Sequence, residues 1–254
     1  MKIVVIGGTG LIGSKLVRNL KRLGHEVIAA SPSTGVNTLT GEGLKEALKG
    51  ANVVVDVSNS PSFEENEVLK FFEVSTINLI DEEKQAGVSH HVALSVVGTD
   101  LLPDSGYFRA KLAQENLIKA SKIPYTIVRA TQFFEFLKSI AESGISENSI
   151  HLPSAFIQPI ASEDVASALL EVALEKPVNG TLEIAGPERF TLSDLVEEYL
   201  KATNDPRTVV HDNNAPYYGA KLSQNTLVPQ KKANLGAINF KNWLKAYKMS
   251  QKED

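Results

Sequence analysis

Short apolar runs alternate with longer amphipathic stretches along the first half of the chain. The apolar runs are rich in β-branched residues and too short for helices, which is typical of strands buried on both faces of a parallel sheet. The amphipathic stretches have the spacing of helices that cross from one strand to the next. The predicted strands are Ile3–Ile6, Glu26–Ala30, Val53–Val55, His91–Ser95 and Tyr125–Val128. The predicted helices are Leu11–Leu23, Glu42–Leu48, Phe63–Glu83 and Tyr107–Ala120.

This alternation predicts an α/β fold with a doubly wound parallel sheet of the Rossmann-like type, because strand–helix–strand crossovers are right-handed. The rhythm loosens after Arg129, and the later pieces are expected to build a small C-terminal lobe on the substrate side. We expect a dinucleotide-binding part over residues 1–150 and the smaller lobe over residues 151–254, interleaved as one structural unit. The lobe is predicted from helices Phe133–Glu142, Glu163–Glu175 (capped by Ser162) and Leu192–Ala202 (capped near Thr191), strand Thr181–Ala185 and a closing helix Phe240–Tyr247. The stretch Asp212–Gly236 has no assignable pattern.

Composition narrows the classes of function. A net charge of -4 provides no basic footprint for a nucleic acid. The absence of cysteine removes disulfides, thiolate metal sites and a cysteine nucleophile together. His90 and His91 have no further ligands at suitable spacing, so we predict no metal site and expect ordinary surface or supporting histidines. No apolar run has the roughly 18 residues of a membrane helix, so we expect a cytoplasmic protein with no membrane partner, and the sequence leaves a homo-oligomer open.

A glycine turn directly follows the first predicted strand and opens the first predicted helix. Gly7 permits the tight turn, Gly10 allows the backbone to approach a phosphate, and Gly13 lets the helix lie close to the strand. The free N–H groups and partial positive charge of the helix N-terminus attract an anion. The turn therefore predicts a dinucleotide site that includes Gly7, Thr9, Gly10, Leu11, Ile12 and Gly13.

The end of the second predicted strand bears on the choice of dinucleotide. An NAD site usually has a carboxylate there for the ribose 2′-hydroxyl, but this strand continues into Ser31-Pro32-Ser33-Thr34. Small hydroxyls on Ser31 and Ser33 leave room for a 2′-phosphate and can donate hydrogen bonds to it. No arginine lies beside them, although Lys15 in the first helix is a candidate partner. We therefore predict that NADP(H) is preferred over NAD(H).

Candidate chemistry follows the fourth predicted strand, which ends at Ser95. Tyr107 and Lys111 are four residues apart and so share one face of the next helix. A neighbouring ammonium favours the phenolate and lowers the pKa of a tyrosine, so Tyr107 is a candidate acid or base. Tyr217 and Lys221 repeat the spacing, but no strand-end serine precedes them, so we favour the first pair.

Together these residues resemble the short-chain dehydrogenase/reductase superfamily, and most closely its atypical NmrA-like, NAD(P)H-binding branch. The segments that carry the resemblance are Gly7–Gly13, Ala93–Gly98, Ile123–Arg129 and Pro159–Ala166. The resemblance implies a parallel sheet of about seven strands with NAD(P)(H) across its carboxyl edge. It also implies that the tyrosine is the catalytic acid or base, that the lysine binds the nicotinamide ribose, and that the serine orients the substrate.

Those implied roles fall on Tyr107, Lys111 and Ser95, and the resemblance adds Asn59, Ser60 and Ala130 as cofactor neighbours. The sequence thus predicts an NAD(P)H-dependent oxidoreductase that acts on a small carbonyl or unsaturated substrate. Two alternatives stay open. One is an NADP(H)-binding redox sensor without turnover, as in NmrA-like relatives that have lost the tyrosine. The other is a nucleotide-sugar epimerase or dehydratase, which would need basic residues in the last third of the chain, where Lys221, Lys231 and Lys232 are the only evident supply.

Overall fold

The computed structural model describes residues 1–146 and 149–251. Its strands are β1 (Lys2–Ile6), β2 (Glu26–Ala30), β3 (Val53–Asp56), β4 (His90–Val96), β5 (Tyr125–Ala130), β6 (Ile145–Ser146), β7 (Ser149–Leu152), β8 (Phe156–Ile157), β9 (Gly180–Ala185), β10 (Phe190–Thr191), β11 (Thr208–His211) and β12 (Asn234–Leu235). Its α-helices are α1 (Leu11–Arg22), α2 (Leu44–Leu48), α3 (Glu65–Ala86), α4 (Gly106–Ala120), α5 (Leu137–Ser143), α6 (Ser162–Leu174), α7 (Leu192–Ala202) and α8 (Phe240–Ser250).

Seven strands form one parallel sheet in the order β2-β1-β3-β4-β5-β9-β12. The chain winds outward from β1 in both directions, so the predicted doubly wound, Rossmann-like sheet of seven strands is confirmed. Two smaller sheets lie outside it, β10-β8 and β11-β7-β6. No helix in the described ranges is both long enough and apolar enough to cross a membrane.

The alternation of side chains along the central strands sorts the helices onto two faces of the sheet. Ile3 and Val5 point to the face that α1 and α6 cover, and their cluster includes Leu16 and Leu169. Val4 and Ile6 point to the opposite face and pack with residues of α2 and α3. Helix α4 lies beside α3 on that second face, where its side chains meet β4 and β5. Because both faces are covered, the central strands are mostly apolar, and the polar residues within them, such as Asp56 and Arg129, are buried.

The second half of the chain differs from the expected division into a sheet and a lobe. The predicted strand Thr181–Ala185 is found as β9, but it pairs in parallel with β5 inside the main sheet. The predicted helix Glu163–Glu175 is found as α6, and it packs beside α1 on one face of that sheet. The substrate-side lobe therefore consists of α5, α7, α8 and the small strands, which share a separate apolar core around Phe134, Leu195 and Trp243.

The two predicted helix caps have different outcomes. Thr191 caps α7, since its Oγ1 accepts a hydrogen bond from the Asp194 N–H at 3.3 Å. Ser162 is instead the first residue of α6, and its hydroxyl donates to Glu135 Oε1 at 2.7 Å. The same Glu135 oxygen accepts the Ser162 N–H at 3.2 Å, so a carboxylate from a distant loop replaces the predicted local cap.

Candidate cofactor and active site

The loops after β1 and β3 meet at the point where the sheet reverses its winding direction. In open α/β sheets, ligands bind in the crevice outside the carboxyl ends of the strands at such a point. Gly7 has a φ of 76°, which is left-handed, and a Cβ there would lie 2.9 Å from the backbone N of Ser58. Only glycine therefore allows the two loops to approach this closely.

Gly13 and Gly10 differ in their surroundings: Gly13 packs against the turn, whereas Gly10 is exposed. A Cβ on Gly13 would lie 2.1 Å from the carbonyl oxygen of Gly7, so the start of α1 rests directly on the turn. A Cβ on Gly10 would meet only that same oxygen, at 3.3 Å. Gly10 is the exposed N-cap residue directly before α1, and Thr9 and Leu11 beside it are exposed as well.

The first turn of α1 has donors that lack backbone acceptors. Within the described residues, no backbone carbonyl accepts from the N–H groups of Leu11, Ile12 or Gly13. No acidic side chain lies in this first turn to neutralise the helix dipole. The exposed Gly10, which has no side chain, therefore lies beside N–H groups that have no backbone acceptor, an arrangement that fits a diphosphate.

The loop after β2 contains a cluster of small hydroxyl groups. Ser31 is buried and its Oγ lies 2.9 Å from the Oγ of the exposed Ser33. Thr34 closes the turn, since its Oγ1 accepts from the Ser31 N–H at 2.9 Å. Lys15, the candidate phosphate partner, instead forms an ion pair with Glu163 at the start of α6. The hydroxyls thus stand at the expected strand end, without help from Lys15.

The cofactor neighbours suggested by the family resemblance lie at the ends of β3 and β5. Asn59 is exposed in the loop after β3, whereas Ser60 is buried and its Oγ accepts the Ser62 N–H at 3.2 Å. Ala130 is the last residue of β5, and its side chain packs in the core beneath α1 and α6. All three residues lie at the carboxyl edge of the sheet, the same edge as the glycine turn.

Tyr107 lies in the first turn of α4 among aromatic rings. The rings of Phe63, Phe72 and Phe108 lie 5.7, 6.1 and 5.8 Å from its own, centroid to centroid. Its hydroxyl has no hydrogen-bond partner among the described residues and is not sealed from solvent. Burial raises the pKa of Tyr107, and no charged group offsets the rise. The predicted lowering of this pKa by Lys111 is therefore wrong for this structure, and Tyr107 is a neutral phenol.

The reason for the missing effect is the direction in which Lys111 points. Its ammonium donates to the carbonyl oxygen of Leu94 at 2.8 Å and to Oε1 of Gln114 at 2.5 Å. The ring of Phe72 covers it, 4.5 Å from Nζ to the ring centroid, and only 3% of the residue is exposed. Burial lowers the pKa of Lys111 to about 8, although Asp56 and Glu115 act in the opposite direction.

Ser95 is engaged in a second buried network. Its hydroxyl donates to Glu115 Oε1 at 2.7 Å, and only 2% of the residue is exposed. Arg129 binds the two oxygens of Glu115 through Nε and Nη2, both at 2.8 Å, and reaches Asp100 through Nη1. Burial alone would raise the pKa of Glu115, but hydrogen bonds from Arg129 and Ser95 outweigh it and hold the pKa below its usual range.

The predicted triad is thus not hydrogen-bonded together in the described structure. Tyr107 and Lys111 share one helix, but Ser95 and Lys111 each have other partners. The sequence analysis missed those partners, Asp56, Gln114, Glu115 and Arg129, which lie buried under the site. One signal was available: Gln114 and Glu115 follow Lys111 by three and four residues, which places all three on one side of the helix. The second Tyr-x-x-x-Lys copy puts Tyr217 in the buried core of the lobe and Lys221 on the surface.

Of the two placements expected for the paired histidines, surface or supporting, the structure has only the buried one. His90 and His91 open β4, and both are buried rather than on the surface. His91 Nδ1 lies 2.8 Å from Oε1 of the buried Glu83, and His90 Nε2 lies 2.9 Å from Thr126 Oγ1. A different set, Asp194, Glu197 and His211, brings three possible metal-ligand atoms within 4.8 Å of one another in the lobe. These side chains are mostly exposed, and such acidic clusters are common without an ion.

Comparison with known proteins identifies the family. Residues 7–176, which include the glycine turn, Tyr107 and Lys111, match the profile of a family described as NAD(P)H-binding. The chain belongs to this NAD(P)H-binding family. The expected resemblance to NAD(P)H-binding members of the short-chain dehydrogenase/reductase class is thereby confirmed.

Two curated relatives of this NAD(P)H-binding chain illustrate the range of functions. Photosystem II assembly factor Ycf39 of Synechocystis sp. is 23% identical over 215 residues, which is 78% of this chain and 66% of the relative. Divinyl chlorophyllide a 8-vinyl-reductase of Cucumis sativus is 29% identical over 222 residues, which is 73% of this chain and 52% of the relative. The chain therefore spans about half to two thirds of the length of the curated relatives it matches.

Solved structures support the fold of this NAD(P)H-binding protein. A dTDP-4-dehydrorhamnose reductase from Clostridium acetobutylicum superimposes with a TM-score of 0.70 at 20% identity, covering 98% of this chain and 93% of that chain. Other similar structures were solved with NAD or with NADP. At these identities the likeness establishes the Rossmann-like fold alone.

Proposed function

We propose that the protein is an NADP(H)-preferring oxidoreductase that reduces a small carbonyl or unsaturated compound. The observation that carries the proposal is the free hydroxyl of Tyr107, at the carboxyl edge of the sheet that also bears the uncovered glycine turn. Family membership supports the dinucleotide, and a relative named as a vinyl reductase supports an unsaturated substrate. An epimerase or dehydratase has only the likeness of fold in its favour.

The chemistry divides between the cofactor and the side chains. The bound nicotinamide, when reduced, supplies the hydride. Tyr107 supplies the proton: a tyrosine is protonated at neutral pH, burial raises its pKa further, and it donates its O–H to the substrate oxygen. The proton lost by the phenol is recovered from solvent. The rings of Phe63 and Phe72 pack around the ring of Tyr107 and bury much of it.

Lys111 and Ser95 remain in the proposal with the roles that the resemblance implies. Lys111 anchors the nicotinamide ribose through an N–H that its internal partners leave free. Ser95 orients the substrate oxygen, which requires its hydroxyl to exchange the contact with Glu115 for one with the substrate. That exchange is a local rotation about χ1 and leaves the Glu115–Arg129 pair intact.

The dinucleotide preference is proposed from the loop after β2. Its exposed surface offers the hydroxyl of Ser33, with that of Ser31 behind it, and no carboxylate that would repel a 2′-phosphate. Isothermal titration calorimetry of the purified protein is expected to give tighter binding of NADPH than of NADH. Equal or reversed affinities would refute the preference.

The decisive test of catalysis is Tyr107→Phe, which removes the proton donor and keeps the ring. We expect turnover of a carbonyl and quinone panel to be lost while NADPH affinity stays within about threefold, because the hydroxyl acts on the substrate. Tyr125→Phe is the matched control, a half-buried tyrosine at the opposite end of the sheet, where β5 begins. Retained turnover in Tyr107→Phe excludes the proposed acid.

A second candidate function is favoured by one observation. Lys111 and Ser95 both have internal partners, an arrangement that would also suit a protein that binds NADP(H) and senses its redox state without turnover. NADPH that binds but is not consumed across the panel, by the wild-type protein, would decide for the sensor. Steady consumption would decide for the enzyme.

A further inference from the structure

A continuous chain of buried hydrogen bonds runs from Lys111 to the loop after β3. Lys111 Nζ donates to Gln114 Oε1 at 2.5 Å, and Gln114 Nε2 donates to Asp56 Oδ2 at 2.9 Å. The other oxygen of Asp56, Oδ1, accepts from the N–H and the hydroxyl of Ser58, at 2.9 and 2.6 Å. Asp56, Lys111 and Gln114 are each at most 3% exposed, so water does not replace these bonds.

The donors and acceptors in this chain allow one arrangement only. An ammonium only donates and a carboxylate only accepts, so the amide of Gln114 must turn its oxygen to Lys111 and its NH₂ to Asp56. A rotated amide would oppose donor to donor at one end and acceptor to acceptor at the other. The orientation of Gln114 is therefore fixed by its two charged neighbours.

The Ser58 end of this series of hydrogen bonds lies against the glycine turn. The backbone N of Ser58, which donates to Asp56, is the atom that a Cβ on Gly7 would approach to 2.9 Å. Asp56 thus fixes the loop that faces the turn and, through Gln114, the ammonium of Lys111. Two of the three N–H groups of that ammonium are engaged by Leu94 and Gln114, and the third has no hydrogen-bond acceptor among the described residues.

We propose that Asp56 and Gln114 are positioning residues, which hold the ammonium of Lys111 in place for the cofactor and couple it to the loop beside the glycine turn. The inference rests on the proposed function, because it concerns the same lysine. Asp56 also favours the charged form of Lys111, against the effect of burial. Neither residue touches the reacting atoms, and their effect acts through Lys111.

The test exchanges the two partners. Asp56→Asn faces the Gln114 NH₂ with a second NH₂, and Gln114→Glu faces the Asp56 carboxylate with a second carboxylate, so each single change breaks the chain. The double variant Asp56→Asn/Gln114→Glu restores it: the new carboxylate accepts from Lys111 and from the new amide, whose oxygen still serves Ser58. The total charge is also unchanged.

Dissociation constants for NADPH, from calorimetry, are the main readout, with kcat and KM measured alongside. Because a lost hydrogen bond to a charged group weakens binding by about tenfold or more, we expect that loss in each single variant. The double variant should return to within about threefold of wild type, because it restores a donor facing an acceptor at every link. If a single variant fails to fold, the double variant is the test. NADPH binding by the double variant that is more than about threefold weaker than in wild type overturns the proposal.

Glu83→Gln is the matched control, since it makes the same acid-to-amide change in a buried pair on the same face of the sheet. It should lower stability and leave NADPH affinity within about twofold. Single variants that bind NADPH like wild type overturn the positioning role and leave the proposed function standing. A wild-type protein that does not bind NADPH overturns the proposed function itself.

Discussion

At the scale of single residues, Glu115 and Arg129 form a buried ion pair. Its two hydrogen bonds form the parallel, bidentate geometry that carboxylate and guanidinium favour. Both partners are buried, so removal of one charge leaves the other without a counter-ion in a medium of low dielectric. The pair also holds Ser95, which ties the stability of this region to a residue of the candidate site.

We therefore expect Glu115→Gln to lower the free energy of unfolding by about 3–5 kcal/mol, measured by urea denaturation at pH 7. Glu65→Gln is the control, since Glu65 pairs with Arg109 on the surface and exposed ion pairs contribute about 1 kcal/mol or less. Similar losses in the two variants would show that burial does not decide the strength of these pairs.

The buried histidines of β4 respond to pH in opposite directions. Burial and the neighbouring His91 lower the pKa of His90 to about 4. Burial alone would also lower the pKa of His91, but the carboxylate of Glu83 reverses the effect and raises it. Protonation of His91 therefore stabilises the fold fully below pH 6.5, and this contribution is lost as the pH rises through its raised pKa.

His90 produces the opposite slope. The unfolded chain takes up a proton near pH 6.5, whereas folded His90 stays neutral to about pH 4, so stability falls as the pH drops through this window. His90→Gln retains an N–H for Thr126 and removes the titration. Between pH 6.5 and pH 4, the free energy of unfolding should fall less in the variant than in wild type, by up to about 3 kcal/mol. Urea denaturation at the two pH values measures this difference. Parallel pH profiles would contradict this assignment.

Whether the sequence predicts the role of a residue depends on whether that role is local or is set by partners far away along the chain. Gly7 and Gly13 were predictable because their roles are local, in a turn and in the approach of one helix to it. Asp56 and Arg129 were not, because a charged residue inside an apolar strand reveals its partner only when the strands are brought together. The error on the pKa of Tyr107 has the same origin, since the direction of Lys111 is set by Leu94 on another element.

At the scale of elements, the start of α1 combines a packing constraint with a binding surface. We expect Gly13→Ala to destabilise the protein by about 1–3 kcal/mol, because its Cβ would collide with the Gly7 carbonyl oxygen at 2.1 Å. Gly10→Ala should change stability by less than about 1 kcal/mol, since its contact with that oxygen is 3.3 Å and its site is exposed.

Gly10→Ala should lose more NADPH affinity than Gly13→Ala, although Gly13→Ala loses more stability. Because a Cβ on Gly10 would stand where the diphosphate approaches, Gly10→Ala is expected to weaken NADPH binding by about tenfold or more while the fold remains intact. Thermal unfolding and NADPH titration of the two variants check both halves. Unchanged affinity in Gly10→Ala would mean that the cofactor does not lie over this residue.

Element type was easier to predict than element partner. The apolar strands and amphipathic helices of the first 130 residues are where the pattern puts them, because their periodicity is local. β9 and α6 were also found, but their place in the main sheet was missed, since parallel pairing with β5 is a long-range choice. The short strands β6, β8 and β10 were missed because two residues show no period.

At the scale of the whole molecule, the C-terminal segment joins the sheet and the lobe. β12 closes the edge of the main sheet, and the Ile238 N–H donates to Asp164 of α6 at 2.9 Å. Helix α8 then packs on the lobe, where Trp243 stacks against Phe134 at 5.3 Å and donates to Glu135 at 3.1 Å. The same Glu135 holds the start of α6, so contacts cross between the two parts at several points.

These crossing contacts predict one cooperative unfolding transition rather than two. Trp243 is the only tryptophan in the sequence, so its fluorescence reports on the lobe alone, whereas the far-ultraviolet circular dichroism reports mainly on the larger sheet-and-helix body. Urea curves from the two signals should coincide in midpoint and slope, because the lobe loses its supports when β12 and α6 separate from the sheet. Trp243→Phe should shift the dichroism curve to lower urea by weakening the same core. Two separated midpoints in the wild-type protein would instead mean that the lobe built from α5, α7, α8 and the small strands unfolds as a unit of its own.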